Sequence, residues 1–135
     1  MARERSEFLS GVVRKDARGG WAALLPEDVP IDMTSLHIVA SVPGQVRGNH
    51  AHPTREEYLF FFGGRALVVW EEDGRVRRES VGGEGRLLRL AAGVGHAYKN
   101  TGDEPAYIMA CKGPRLAEGP ETVKLEPPLI EEDNG

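Results

Sequence analysis

Four side chains in this sequence have the types and spacing to hold one divalent cation: His50, His52, Glu57 and His96. In an extended strand residues i and i+2 face the same way, so one segment carrying His50 and His52 presents both imidazoles to one ion. Glu57 opens the next apolar run with Leu59 and Phe61 on its own face. Its carboxylate is expected to point into the mouth of a β-barrel while those apolar side chains fill the barrel beneath it. His96, in Gly93-Val-Gly95-His96, is the candidate fourth ligand, in a segment whose glycines permit a tight approach. Three imidazoles and a carboxylate leave open positions on a six-coordinate ion, which Fe, Mn, Ni, Co or Zn could fill with water or substrate. The same residues also fit a metal-free small-molecule site in which the histidines are hydrogen-bonded polar groups.

Positioning such a set calls for short strands. Seventeen glycines and nine prolines break the chain into segments rich in Val, Leu, Phe and Tyr without helical spacing, the pattern of an all-β barrel or sandwich. Strands are expected over Leu36 to Val42, Glu57 to Phe62, Ala66 to Glu71, Val76 to Val81, Arg86 to Leu90, Ala97 to Asn100 and Ala106 to Lys112. Gly63-Gly64 and Asp73-Gly74 read as hairpin turns that pair neighbouring strands antiparallel in a meander. Residues 1–35 form an extended arm with an apolar patch at Trp21 to Leu25, residues 36–115 the barrel core, and residues 116–135 a last strand and a frayed acidic tail.

A chain of 135 residues has room for one domain and one site. A net charge of −4, with Arg75, Arg77 and Arg78 flanked by acids, leaves no basic surface for nucleic acid. The charged start MARERSEFLSG is no signal peptide and no apolar run is long enough to cross a bilayer, so a cytoplasmic protein without a membrane partner is expected. The single cysteine, Cys111, reads as a small buried hydrophobe.

The site residues fall in two motifs that resemble those of the cupin superfamily. Gly44, His50, His52, Glu57 and Gly64 fit the first in order. Glu56 with Gly63 fits its shorter spacing equally well, but Gly64 followed by RALVV is the better likeness, which turns Glu56 outward. Gly85, Gly93, His96 and Asn100 fit the second, with Ala91 where the family usually has proline. The resemblance implies a small antiparallel β-barrel of the double-stranded β-helix, or jelly-roll, type. Arg47-Gly48-Asn49-His50-Ala51-His52, with Asp16 and Arg18-Gly19 upstream, also resembles cupins of nucleotide-linked sugars: ketoisomerases, 3,5-epimerases and the cupin domain of capsular-polysaccharide reductases.

That likeness implies proton transfer next to a ketone, with a histidine base and a cation or metal stabilising the enolate. Arg47 would bind an anionic group or form a surface salt bridge to Glu56 or another nearby acid. His50 or His52 would ligate metal or act as base, and Tyr58 or Tyr98 would supply a proton or serve only in packing. The leading expectation is a sugar or sugar-nucleotide isomerase or epimerase-like protein with one divalent metal per chain. A metal-dependent oxygenase and a non-catalytic small-ligand-binding protein are the alternatives. Small cupins commonly pair by exchanging N-terminal strands, so a homodimer is expected.

Overall fold

A computed structural model describes residues 5–132. It contains twelve strands: β1 Glu7–Leu9, β2 Val13–Arg14, β3 Ala22–Ala23, β4 Asp32–Ser41, β5 Val46–Ala51, β6 Glu57–Gly63, β7 Ala66–Glu72, β8 Arg75–Val81, β9 Arg86–Leu90, β10 Gly95–Asn100, β11 Ala106–Lys112 and β12 Val123–Lys124. One five-stranded sheet runs β1-β9-β6-β11-β4, a second runs β12-β5-β10-β7-β8, and β2-β3 form a small hairpin. All strand pairs are antiparallel. No helix long and apolar enough to cross a membrane occurs among the described residues.

The two sheets face one another without hydrogen bonds that would close them into the expected barrel. One outer edge, β8, carries exposed Arg75, Arg77 and Arg78, and charge on an edge strand opposes further pairing. The meander is also corrected. Asp73-Gly74 does join a β7-β8 hairpin, both residues adopting positive φ. Gly63-Gly64 instead carries the chain from β6 in the first sheet to β7 in the second. Alternation within a strand fixes which face is buried but not which strand lies beside it, so the sequence offered no means to tell a hairpin from a corner.

That corner is where backbone conformation is most demanding. Gly64 has φ +71°, and a Cβ there would lie 2.6 Å from the Pro105 carbonyl oxygen and 2.8 Å from Ala106 Cα. Gly64→Val is therefore expected to cost roughly 3 kcal/mol or more, read as a lower urea midpoint at unchanged m-value. Gly74→Val, at φ +77° but with nothing within 4 Å of its Cβ, carries only backbone strain and should cost about 1–2 kcal/mol.

Between the sheets lies the main core, with Leu59, Phe61, Val68, Trp70, Leu88, Leu90 and Ile108 almost wholly buried. A second cluster, Val12, Tyr58, Phe60, Leu87 and Cys111, covers the far face of the first sheet beneath Leu9, Val13, Ala23, Val29 and Ile31 of the arm. The arm therefore packs on its own sheet, with Trp21 edge-on to Phe60 at 5.9 Å. This explains why β6 reads as the unbroken run YLFFF: it is buried on both faces. Burial raises the Cys111 thiol to about 11, in keeping with a packing role.

The tail expected to fray is docked over its described part, and its last three residues lie outside the described residues. β12 pairs with β5, and beyond it the backbone nitrogens of Leu129 and Ile130 donate to Asn49 Oδ1 while Asn49 Nδ2 donates to the Ile130 carbonyl. Charge and prolines suggested fraying, but a buried amide side chain supplies the hydrogen bonds that the tail's backbone needs.

Candidate metal centre

The site joins the two sheets at one end. β5 and β10 lie side by side with His50 opposite His96. Their approach is close because Gly48, at φ +92°, has no Cβ to strike the His96 carbonyl oxygen, which would lie 2.9 Å away. His52 sits just past the end of β5, with its backbone carbonyl accepting from Gly93. From the facing sheet, Glu57 at the start of β6 reaches across to the imidazoles.

His52 Nε2 lies 2.9 Å from Glu57 Oε2, and His96 Nε2 lies 2.9 Å from Glu57 Oε1. The His50 ring centre is 4.6 Å from that of His52 and 4.8 Å from that of His96. One ligating atom from each of the four residues falls within 4.8 Å of the others, and all but His50 are buried. Burial alone would raise the Glu57 carboxyl, but the facing His52 and His96 rings outweigh it and hold it well below the usual carboxylate range. The centre is thus an ionised carboxylate ringed by imidazoles.

Backbone carbonyls orient two of those rings. His52 Nδ1 donates to the Glu121 carbonyl at 3.0 Å, and His96 Nδ1 donates to the Val94 carbonyl at 3.1 Å. With a proton on each Nδ1, Nε2 of each ring faces the carboxylate, as a donor while the ring is protonated, the state that depresses Glu57, or as a lone pair once a cation displaces that proton. Two electron-rich atoms in a dry pocket call for a cation between them. Neighbouring ligands on an octahedral ion with bonds near 2.1 Å stand about 3.0 Å apart; His52 and His96 Nε2 each lie 2.9 Å from a Glu57 oxygen, and the whole set lies within 4.8 Å. His50, His52, Glu57 and His96 therefore fit a divalent ion, and the mixed imidazole and carboxylate set suits Mn, Fe, Co, Ni or Zn.

Burial, with His96 and His52 beside it, lowers His50 to about 4. Its ordinary value is 6.5, so between these pH values an unfolded chain takes up a proton that the folded one refuses. Stability present above pH 6.5 is lost as the pH falls through that window. Glu57, also depressed on folding, adds a loss of the same sign at lower pH. The metal-free protein is expected to show a falling thermal midpoint from pH 6.5 down to about 4, measured by calorimetry after chelation.

A cavity of about 270 Å³ opens over the cluster, lined on its remaining sides by His37, Val39, Arg47, Tyr98, Ala110 and Lys112 among others. Of the residues expected to act beyond the four, Arg47 and Tyr98 reach it. Burial raises the Tyr98 hydroxyl to about 12, so at neutral pH it stays protonated and can donate a hydrogen bond. Tyr58 does not reach it. Next to Glu57 on β6, it points to the opposite face into the cluster under the arm, beside Glu56 and Arg89. Glu56 faces that same side, with its carboxylate 3.9 Å from Arg89 Nε. The salt bridge considered between Arg47 and Glu56 does not form.

The sequence reading passed over His37 and Lys112. Lys112 ends β11 directly opposite Glu57, two residues beyond Ala110 on the same face, so parity along AYIMACK was the signal that could have found it. His37 lies opposite Ala110 on β4, and its Nδ1 contacts the Ser35 carbonyl at 3.0 Å. Asn49 and Glu121, which join the tail to the ligand strand, carried no comparable signal because their roles depend on long-range contacts.

Comparison with proteins of known structure finds the same architecture repeatedly. A 3,4-ketoisomerase from Helicobacter canadensis superposes with a TM-score of 0.71 at 16% identity, over 88% of this chain and 90% of that one. The TDP-quinovose 3,4-ketoisomerase WlaRB from Campylobacter jejuni gives 0.72 at 16%, over 90% and 93%. The capsular polysaccharide assembling protein CapF from Staphylococcus aureus gives 0.60 at 20%, over 88% of this chain but 32% of that one. No curated protein sequence matches the chain. The cupin domain family model matches residues 37–111, a stretch that includes all four clustered residues and more than half of the sequence, and the chain belongs to that family.

Proposed function

We propose that this protein is a metal-dependent cupin that moves a proton next to a carbonyl group in a small polar substrate of the sugar type, as an isomerase or epimerase does. The observation that carries this reading is the convergence of three imidazoles and an ionised Glu57 at the base of a cavity that also presents Tyr98 and Arg47. The likeness to folds named as sugar 3,4-ketoisomerases supports the class of reaction.

His50, His52, Glu57 and His96 would hold the ion, which supplies polarisation of the substrate carbonyl and stabilisation of the enolate charge. The residues around it bind and move protons. Arg47 offers its guanidinium to an anionic or polar group at the open side. Tyr98, protonated at neutral pH, can donate to the substrate oxygen. Leu59, Val39 and Ala110 give the cavity apolar walls that limit water.

The experiment is solvent exchange followed by NMR in deuterium oxide. Protein loaded with zinc or manganese is incubated with free ketoses and with a TDP-linked 4-keto sugar. Deuterium entering the position beside the carbonyl, lost in His96→Ala, supports the reading. Oxygen consumption seen only with iron would replace it by an oxygenase, and tight metal without exchange on any probe would replace it by a binding module.

A further inference from the structure

The charges around the cavity narrow the kind of molecule it takes. Arg47 on β5 and Lys112 on β11 line it from opposite sheets, and neither forms an ion pair with any carboxylate among the described residues. What sets this pair apart is their place: both line the cavity that holds His50, His52, Glu57 and His96. Lys112 is half-buried, and its charge is felt at His50, which places it over the metal cluster rather than out in solvent.

Glu57 is the one carboxylate lining the cavity, and it is engaged by His52 and His96. Arg47 and Lys112, beside the four residues that would hold a divalent ion, therefore face a space with no free negative charge. Such a pocket favours an anion, with Lys112 half-buried on one side and Arg47 exposed at the open side of the other. About 270 Å³ directly over the cluster is room for a small polar molecule or for the reacting end of a larger one.

We propose that the natural ligand is a small oxyanion-bearing hydroxy- or keto-compound, whose carboxylate or phosphate group is held between Arg47 and Lys112 while its neighbouring oxygen faces the metal cluster. The inference rests on the metal-dependent reading above and sharpens it: the substrate carries its own negative charge close to its reacting carbon.

The test is calorimetric titration of the full-length protein, both zinc-loaded and metal-free, with metal content measured on the same samples. The probes are oxalate, its uncharged isostere oxamide, inorganic phosphate and TDP. Oxalate is expected to bind at least tenfold more tightly than oxamide, and Arg47→Ala and Lys112→Ala should each weaken it about tenfold without changing the zinc content. Phosphate binding with the same dependence on both residues would assign the anion to a phosphate ester, and oxalate alone would assign it to a carboxylate. Equal binding of oxalate and oxamide, or full oxalate binding in both variants, would overturn the proposal. TDP binding more tightly than either small anion, independently of Lys112, would overturn the assignment of the anion to a group held between Arg47 and Lys112. A protein that holds no zinc yet binds oxalate through Arg47 and Lys112 would refute the metal-dependent reading and leave the anion site standing.

Discussion

Alanine at His96 or at Glu57 should reduce the bound metal from about one ion per chain to less than a tenth of that, measured by elemental analysis of protein purified without added metal. Each residue touches the site from a different sheet, and neither has a neighbour that can substitute: Glu57 is the one carboxylate in the cavity, and His96 sits on the central strand β10 between β5 and β7. His50→Ala and His52→Ala should fall in the same class, whereas Glu56→Ala should keep its metal because that carboxylate lies on the other face of β6, against Arg89. Stability gives an independent readout. A ligand that binds only the folded state at a hundred times its dissociation constant adds about 2.7 kcal/mol, and for a domain of this size that is a rise in thermal midpoint of roughly 10 °C. The wild type should lose that increment on chelation. The Glu57 and His96 variants should be indifferent to both chelator and metal.

Glu57→Gln separates charge from shape. The amide fills the same space and still accepts a hydrogen bond, but it cannot neutralise a divalent ion, so metal should be lost while the fold is kept. A Glu57→Gln protein with full metal content would mean that the three imidazoles suffice and that the carboxylate serves another purpose.

What could be read from the sequence, and what could not, follows from the range of the contacts involved. His50, His52, Glu57 and His96 were legible because spacing within one segment sets strand parity, and parity sets the face: Glu57 turns inward with Leu59 while Glu56 and Tyr58 turn outward. Tyr58 shows how the same rule was left unapplied, since it is adjacent to Glu57 and had to face away. The strands from Glu57 to Lys112 were recognisable from their apolar runs, yet their assignment to two sheets was not, because Gly63-Gly64 has the residues of a hairpin and the geometry of a corner. The arm strands β1, β2 and β3 are two or three residues long and carry no periodicity of their own; they exist because the far face of β6 has to be covered. Lys112 became visible as part of the site only once β11 was registered against β6.

The C-terminal segment was the largest surprise, and it yields the second large effect. Ending the chain after Gly119 should weaken metal binding by about tenfold to a hundredfold, the range seen when partners behind metal ligands are removed, although no ligand is touched. The deleted residues hold the ligand strand from Asn49 to His52. The Glu121 carbonyl accepts from His52 Nδ1, β12 pairs opposite His50 and Ala51, the Leu125 nitrogen donates to the Asn49 carbonyl, and Asn49 itself grips Leu129 and Ile130. Without the Glu121 carbonyl the His52 ring is free to turn or to move its proton to Nε2, which would aim a donor at the metal position. Asn49→Gly isolates the grip on the tail from the rest, because glycine accepts the positive φ of 58° found there without strain and removes only the side chain. Its metal affinity should fall in the same direction as the truncation, with cobalt absorption reporting a loosened ligand geometry and calorimetry reporting that the domain still unfolds cooperatively. Unchanged affinity in both proteins would mean that the tail covers the strand without orienting it, and that His52 is held in place by the Gly93 contact and Glu57 alone.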